Sequence, residues 1–169
     1  MEERKIPAEN TPISRSLDEN LKNLLDFTDN SSDVIVKKGF VCGNKIAVVT
    51  CEGMASTDTL AQLVYPKLNS EENSRILSPD ALMSSFFDVF LIAAEQLDIK
   101  NLGDLTLKLQ SGFAIILVDG CARAIGIGVQ GYKSRGIDEP SSELNVRGSR
   151  EGFVEVIRTN MALIRRRIK

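Results

Sequence analysis

FAIILVDGCARAIGIGVQGY, residues Phe113 to Tyr132, decides the fold. An apolar run, an Asp119-Gly120 pair suited to a type I′ turn, and a second apolar run with small residues read as a β-hairpin. The returning arm also contains Gly126-Ile-Gly128-Val-Gln-Gly131, which satisfies GxGxxG. In a dinucleotide fold that motif closes a strand and opens a helix, whose first amides hold a pyrophosphate. Here it lies inside a strand, and the YKSRGIDEP that follows is a poor start for a helix. Small residues that permit a bulge or close packing within a strand are the better reading. Nor is there a Walker A loop, because Tyr132 separates Gly131 from Lys133.

A second hairpin is expected upstream. DVIVKKGFV and NKIAVVTCE are rich in β-branched residues and meet around Gly43-Asn44, a strong short-turn signal. Both hairpins end an apolar run in an acid followed by glycine, which is common for local turn reasons and does not establish an internal repeat. Helices surround the hairpins. Ser16-Leu-Asp-Glu19 matches a capping box, and Leu17, Leu21, Leu24 and Leu25 keep helical spacing, which predicts a helix from Leu17 to Phe27. Residues 56 to 68 begin with cap-forming types, but Pro66 should end or kink a helix there. Ser78-Pro79 followed by Leu82, Phe86, Val89, Phe90, Ala93 and Leu97 predicts a long helix from Pro79 to Leu97. A shorter one is expected over Leu102 to Leu109, with Gly112 beyond its end, and Phe153, Ile157, Met161, Ile164 and Ile168 mark a terminal helix. The expected fold is α/β (α+β): a mixed sheet built from two hairpins, helices packed on it, and a closing C-terminal helix. Residues 1 to 14, polar and aperiodic with Pro7 and Pro12, read as a flexible arm, and 15 to 169 as one subdomain.

Composition narrows function mainly by exclusion. With 43% apolar and 26% charged residues, the chain is neither disordered nor a membrane protein by composition. The N-terminus lacks the apolar segment of a signal peptide, and no run of about 18 apolar residues occurs. Histidine is absent, which removes the commonest general base and metal ligand. Cys42, Cys51 and Cys121 form an odd set without CxxC spacing, so they read as buried free thiols rather than disulfides or a zinc site. No cofactor or metal is implied. Charge is uneven: from Gly131 onward there are nine Lys and Arg against five Asp and Glu, a net of +4, leaving 12 against 18 for the first 130 residues. A weakly acidic chain with no Trp and two Tyr does not read as a nucleic-acid binder, and the terminal RRRIK suits the C-terminal end of a helix dipole.

The least ordinary stretch is SRGIDEPSSELNVRGSREGF, Ser134 to Phe153. Asp138, Glu139 and Glu143 have no companion nucleophile or metal-ligand pattern, so an ion-pair network is preferred to acid-base catalysis. Arginine binds carboxylates bidentately, and such a network can tie a loop down as a hinge or a subunit interface.

Extended to Lys169, this segment closely resembles the signature of the A subunits of GerA-type spore germination receptors. The resemblance rests on Arg135, Glu139-Pro140, Glu143, Val146-Arg147-Gly148, Arg150-Glu151-Gly152-Phe153, Asn160 and Leu163 to Lys169. Upstream, SLDENLKNLLDFTDNSSDVIVKK is similar to the family's opening helix, Asn-Ser-Ser-Asp turn and first strand, and ILVDG to a later strand. The middle, TCEGMASTDTLAQLVYPKLN, matches only loosely. The resemblance implies a non-enzymatic first part of the N-terminal domain of a receptor in the spore inner membrane. That receptor would answer nutrient germinants and trigger ion release. It further implies B- and C-type subunits and further A subunits as partners, a place on the cytoplasmic (core) side, and membrane attachment through sequence absent from this chain. Arg135, Glu139, Glu143, Arg147, Arg150, Glu151 and Asn160 are the expected binding or interface residues. The alternative is a small-molecule module, with a nutrient pocket shared with a second subdomain.

Overall fold

The apolar run at Phe113 becomes the middle strand of a five-stranded sheet. The computed structural model describes residues 7–68, 76–89, 95–131 and 157–168. Its helices are α1 (Leu17–Phe27), α2 (Thr57–Thr59), α3 (Tyr65–Leu68), α4 (Pro79–Val89), α5 (Leu102–Gln110) and α6 (Ile157–Arg167), with a π-helical turn at Leu60–Val64. Its strands are β1 (Val34–Val41), β2 (Asn44–Cys51), β3 (Gln96–Ile99), β4 (Phe113–Val118) and β5 (Ala124–Gly128). The sheet order is β1-β2-β4-β5-β3, and every neighbouring pair is antiparallel. The α+β class and both hairpins follow the sequence reading; β3 is an addition to it.

β4 is apolar at every position because helices cover both of its faces. Ala114, Ile116 and Val118 enter a core with Ile46, Val48 and Ile125, closed by Leu82, Met83 and Phe86 of α4. Phe113, Ile115 and Leu117 point the other way, toward Leu21 and Leu24 of α1 and Leu105 and Leu109 of α5. A strand buried on both sides loses the polar alternation of a half-exposed one. Each large aliphatic side chain so buried contributes about 1.5–3 kcal/mol.

The turns differ in detail from expectation. The first hairpin turns at Cys42-Gly43, both with positive φ (49° and 78°), one residue earlier than Gly43-Asn44. Asn44 pairs with Val41, and its side-chain amide donates to the carbonyls of Cys42 and Leu77, each at 2.9 Å. In the second hairpin, Gly120 alone has positive φ (89°), and the Cys121 N–H donates to the Val118 carbonyl at 3.1 Å. That is the pattern of a type II turn, not type I′. Asp119 serves α1 instead, its carboxylate accepting the Leu17 N–H at 3.0 Å.

Two helices also differ. α4 is described as far as Val89, residues 90–94 of the expected long helix lie outside the described residues, and Leu97, its expected last residue, lies in β3 opposite Gly126. Leu97 and Ile99 alternate with Asp98 and pack into the α1–α5 core, so a spacing that also fits a helical stripe belongs to a strand. Gly126 makes this possible: a Cβ there would lie 3.0 Å from Ile99 Cδ1. The glycines of GxGxxG thus admit a neighbouring strand rather than a phosphate. Around Pro66 the helix does not stop. It widens, the Tyr65 N–H donating to the Leu60 carbonyl five residues back, which accommodates a proline in the following turn.

Residues 9–13, within the expected arm of residues 1 to 14, pack against α5. Ile13 is buried and its N–H donates to the Lys100 carbonyl, while the carbonyls of Thr11 and Glu9 accept from Leu102 and Gly103. With Asn101 Oδ1 accepting from Asp104, the first amides of α5 are satisfied by this segment and the cap residue. Ile115→Ala should therefore destabilise the domain by about 2–5 kcal/mol, since it empties the centre of one core. Phe40→Ser, at 73% exposure, should change stability by no more than about 0.5 kcal/mol. Urea unfolding followed by circular dichroism measures both, and equal effects would contradict the two-sided burial of β4.

Candidate functional site

Six of the seven expected site residues, Arg135, Glu139, Glu143, Arg147, Arg150 and Glu151, lie outside the described residues. Asn160 is half-buried on α6. The anchors of this segment are nevertheless defined. On its upstream side, Gln130 bridges to Ala55, and the Ser56 N–H donates to the Val129 carbonyl. On its downstream side, α6 returns to the same corner, where Arg165 Nη1 donates to the Glu52 carbonyl at 3.0 Å and Nη2 donates to the Asp33 carboxylate. Met161 and Gly53 line the same small recess. Gln130 on the upstream side and Met161 and Arg165 of α6 on the downstream side thus meet the same Glu52–Ser56 turn.

Asp33 owes its position to a helix stop. α1 ends at Thr28, after which Asp29 and Asn30 both take left-handed φ (52° and 51°). The Asn30 N–H donates to the Leu25 carbonyl and the Asp29 N–H to that of Asp26, the paired bonds of a Schellman motif. Asp and Asn tolerate this conformation better than other side chains, which is why an Asp-Asn pair can end a helix without glycine. The next turn, Ser31 to Val34, closes through the Val34 N–H and the Ser31 carbonyl, and the Glu52 N–H then takes the Asp33 carbonyl. The Asp33 carboxylate is left pointing at the outer corner of the β1–β2 ladder.

The Asp33 and Arg165 side chains are 22% and 23% exposed. At that depth a doubly bonded guanidinium contributes more than a surface ion pair, about 1–3 kcal/mol. Cys51 lies beneath it; burial pushes its thiol up, Arg165 pulls it back, and Asp33 and Glu52 push it up again. A buried thiol raised in this way is a packing group rather than a nucleophile.

A separate open groove of about 350 Å³ runs along the start of α5, lined by Glu9, Asn10, Phe27, Asn101, Asp104 and Leu107. Because the chain's own acceptors occupy the first amides of α5, the groove offers carboxylates and side-chain amides rather than an anion site. Among the described residues, no helix is long and apolar enough to cross a membrane.

A family model described as Bacillus/Clostridium GerA spore germination protein matches residues 19–169. This chain belongs to the GerA family. Among its relatives, spore germination protein KA of Bacillus subtilis (strain 168) is 30% identical over 161 residues, covering 93% of this chain and 29% of that protein. The uncharacterized membrane protein YfkQ of the same organism is 29% identical over 160 residues, covering 94% of this chain and 30% of that protein. This GerA chain thus spans less than a third of the length of these curated relatives. The crystal structure of the N-terminal domain of the A subunit of the Bacillus megaterium spore germinant receptor GerK3 superposes with a TM-score of 0.68 at 22% identity. The match covers 94% of this chain and 57% of that one, and it shows a common fold.

Asp33 and Arg165 were not singled out by sequence. Both lie in stretches that carry the family resemblance, but 132 residues separate them, and one arginine among three in a row has no mark of its own. Asp33→Ala should loosen α6 and cost about 1–2 kcal/mol. Amide exchange across residues 157–167 should accelerate while β4 stays protected; unchanged exchange would show that this pair does not hold the helix.

Proposed function

We propose that this GerA domain is a non-enzymatic part of a germinant receptor A subunit, serving receptor assembly and transmission of the nutrient signal. The observation that carries this reading is the family match over residues 19–169. In the intact receptor the domain stands on the core side of the spore inner membrane, and sequence outside this chain supplies the membrane part. B- and C-type subunits and further A subunits are its partners. Arg135, Glu139, Glu143, Arg147, Arg150 and Glu151 form an ion-pair network with neighbouring protein, and Asn160 lies at its helical end. The fixed corner at Glu52–Ser56 supports this, because a segment anchored at both sides can pass a displacement into α6 instead of absorbing it.

A second reading rests on the α5 groove. Its Glu9 and Asp104 carboxylates beside Phe27 and Leu107 suit a small polar ligand with a cationic group, such as an amino acid, and a second subdomain would close it.

Glu143→Arg in the full-length receptor should impair nutrient-triggered germination or lower receptor abundance, and Asp33→Arg should do the same by displacing α6. Spores carrying either variant with normal receptor levels and normal germination would rule the assembly role out. For the second reading, amino acids and sugars titrated into the isolated domain should give saturable NMR shifts at Glu9 and Asp104. Flat titrations would remove it.

A further inference from the structure

The groove on α5 carries charge of one sign. Gly103, Leu107 and Gln110, at intervals of four and three, turn one face of the helix into it. The N-terminal segment forms the opposite wall, and its approach needs a glycine. The Gly103 N–H donates to the Glu9 carbonyl at 2.8 Å, and a Cβ at Gly103 would lie 3.1 Å from both that oxygen and Glu9 Cβ. Glu9 is thereby held against the first turn of α5, and its carboxylate meets no hydrogen-bond or ion-pair partner among the described residues. The second acid, Asp104, is oriented through one oxygen, Oδ2 accepting from Asn101 Nδ2 at 2.7 Å. Phe27 and Leu107, the latter 45% exposed, supply the apolar part of the lining. Among the described residues no Lys or Arg lines the groove, and the amides of Leu102 to Leu105 already donate to Thr11, Glu9 and Asn101.

We propose that the groove takes an alkylguanidinium or alkylammonium group and rejects a carboxylate placed next to it, so that of the amino acids it selects arginine and lysine, held by the side-chain end. This selection rests on the second reading above, in which the groove is a ligand site, and narrows its ligand. Two carboxylates attract a cation, and a guanidinium can donate two parallel bonds to one acid. The methylenes behind the cation then have Phe27 and Leu107 to lie on, and an aromatic face is itself favourable to a guanidinium. A neutral α-amino acid is a poor fit. Wherever its ammonium meets Glu9 or Asp104, its own carboxylate is brought against the same acids, with neither a cation nor a free helix amide to receive it. In arginine and lysine the side-chain cation stands several bonds away from the α-carboxylate, which stays in water outside the open groove.

The test follows amide NMR shifts of the 169-residue chain. Agmatine, which is arginine without its carboxylate, should shift Glu9, Asp104 and Leu107 saturably and at least as tightly as arginine does, and about 0.5 M sodium chloride should weaken it. Alanine and leucine should bind at least about tenfold more weakly than agmatine. Glu9→Gln keeps the side-chain length and the main-chain bond to Gly103, and it should weaken agmatine about tenfold with an unchanged circular dichroism spectrum. Asp104→Asn, whose amide oxygen can still accept from Asn101, should act likewise. Alanine or leucine binding as tightly as agmatine would overturn the selection and leave the groove a ligand site, whereas no shift with any of these compounds would remove both. Agmatine binding indifferent to both substitutions would also overturn the selection, because other groups would then hold the cation. Germination plays no part in these readouts, so a negative result leaves the receptor reading untouched.

Discussion

The structure depends on the two-sided burial of β4. Six consecutive side chains, Phe113 to Val118, are withdrawn from water, alternately into the core beneath α4 and the core beneath α1 and α5. Because successive residues serve different cores, a one-residue slip of β4 against β2 would exchange the two sets and misfit both at once. Register, helix placement and turn position are therefore mutually constrained. Asp119, just past β4, caps the start of α1, and the carbonyl of Arg15, just before α1, accepts from Gly120, so the strand also positions the first helix.

Legibility in the sequence followed the range of the interactions. α1, α5 and the two hairpins were readable because their signals are local: Ser16 at a helix start, Gly112 at a helix end, and turn residues between β-branched runs. The capping box itself is only half present, since Ser16 accepts from the Glu19 N–H while the Glu19 carboxylate accepts from the Ser14 hydroxyl. β3 was not readable, because its strand character depends on the space above Gly126, about thirty residues away, and Leu97 alone fits a helix equally well. The first two glycines of GxGxxG lie in β5, as the sequence context indicates, and the motif's glycines face neighbouring backbone and side chains.

The candidate site was legible in a different way. The charged run drew attention through composition and family resemblance, but its mechanical anchor, the Asp33 carboxylate on Arg165, is a contact between the two ends of the chain. No periodicity announces such a pair. The Asp29-Asn30 stop and the Ser31–Val34 turn, in the stretch that also resembles the family's opening, aim a carboxylate that receives the terminal helix.

The pairing of β2 with β4 has a kinetic meaning. Ile46 meets Val118 and Val49 meets Ile115, partners about seventy residues apart, whereas β1 with β2 and β4 with β5 close through short turns. During synthesis the first hairpin leaves the ribosome long before its sheet partner exists, and a lone hairpin is barely stable in water. Docking of the two preformed hairpins is then the slow event, with loop-closure entropy opposing it and the simultaneous filling of both cores driving it. Until that event, β2 presents an unpaired apolar edge, and nascent copies of this domain are most prone to join one another there.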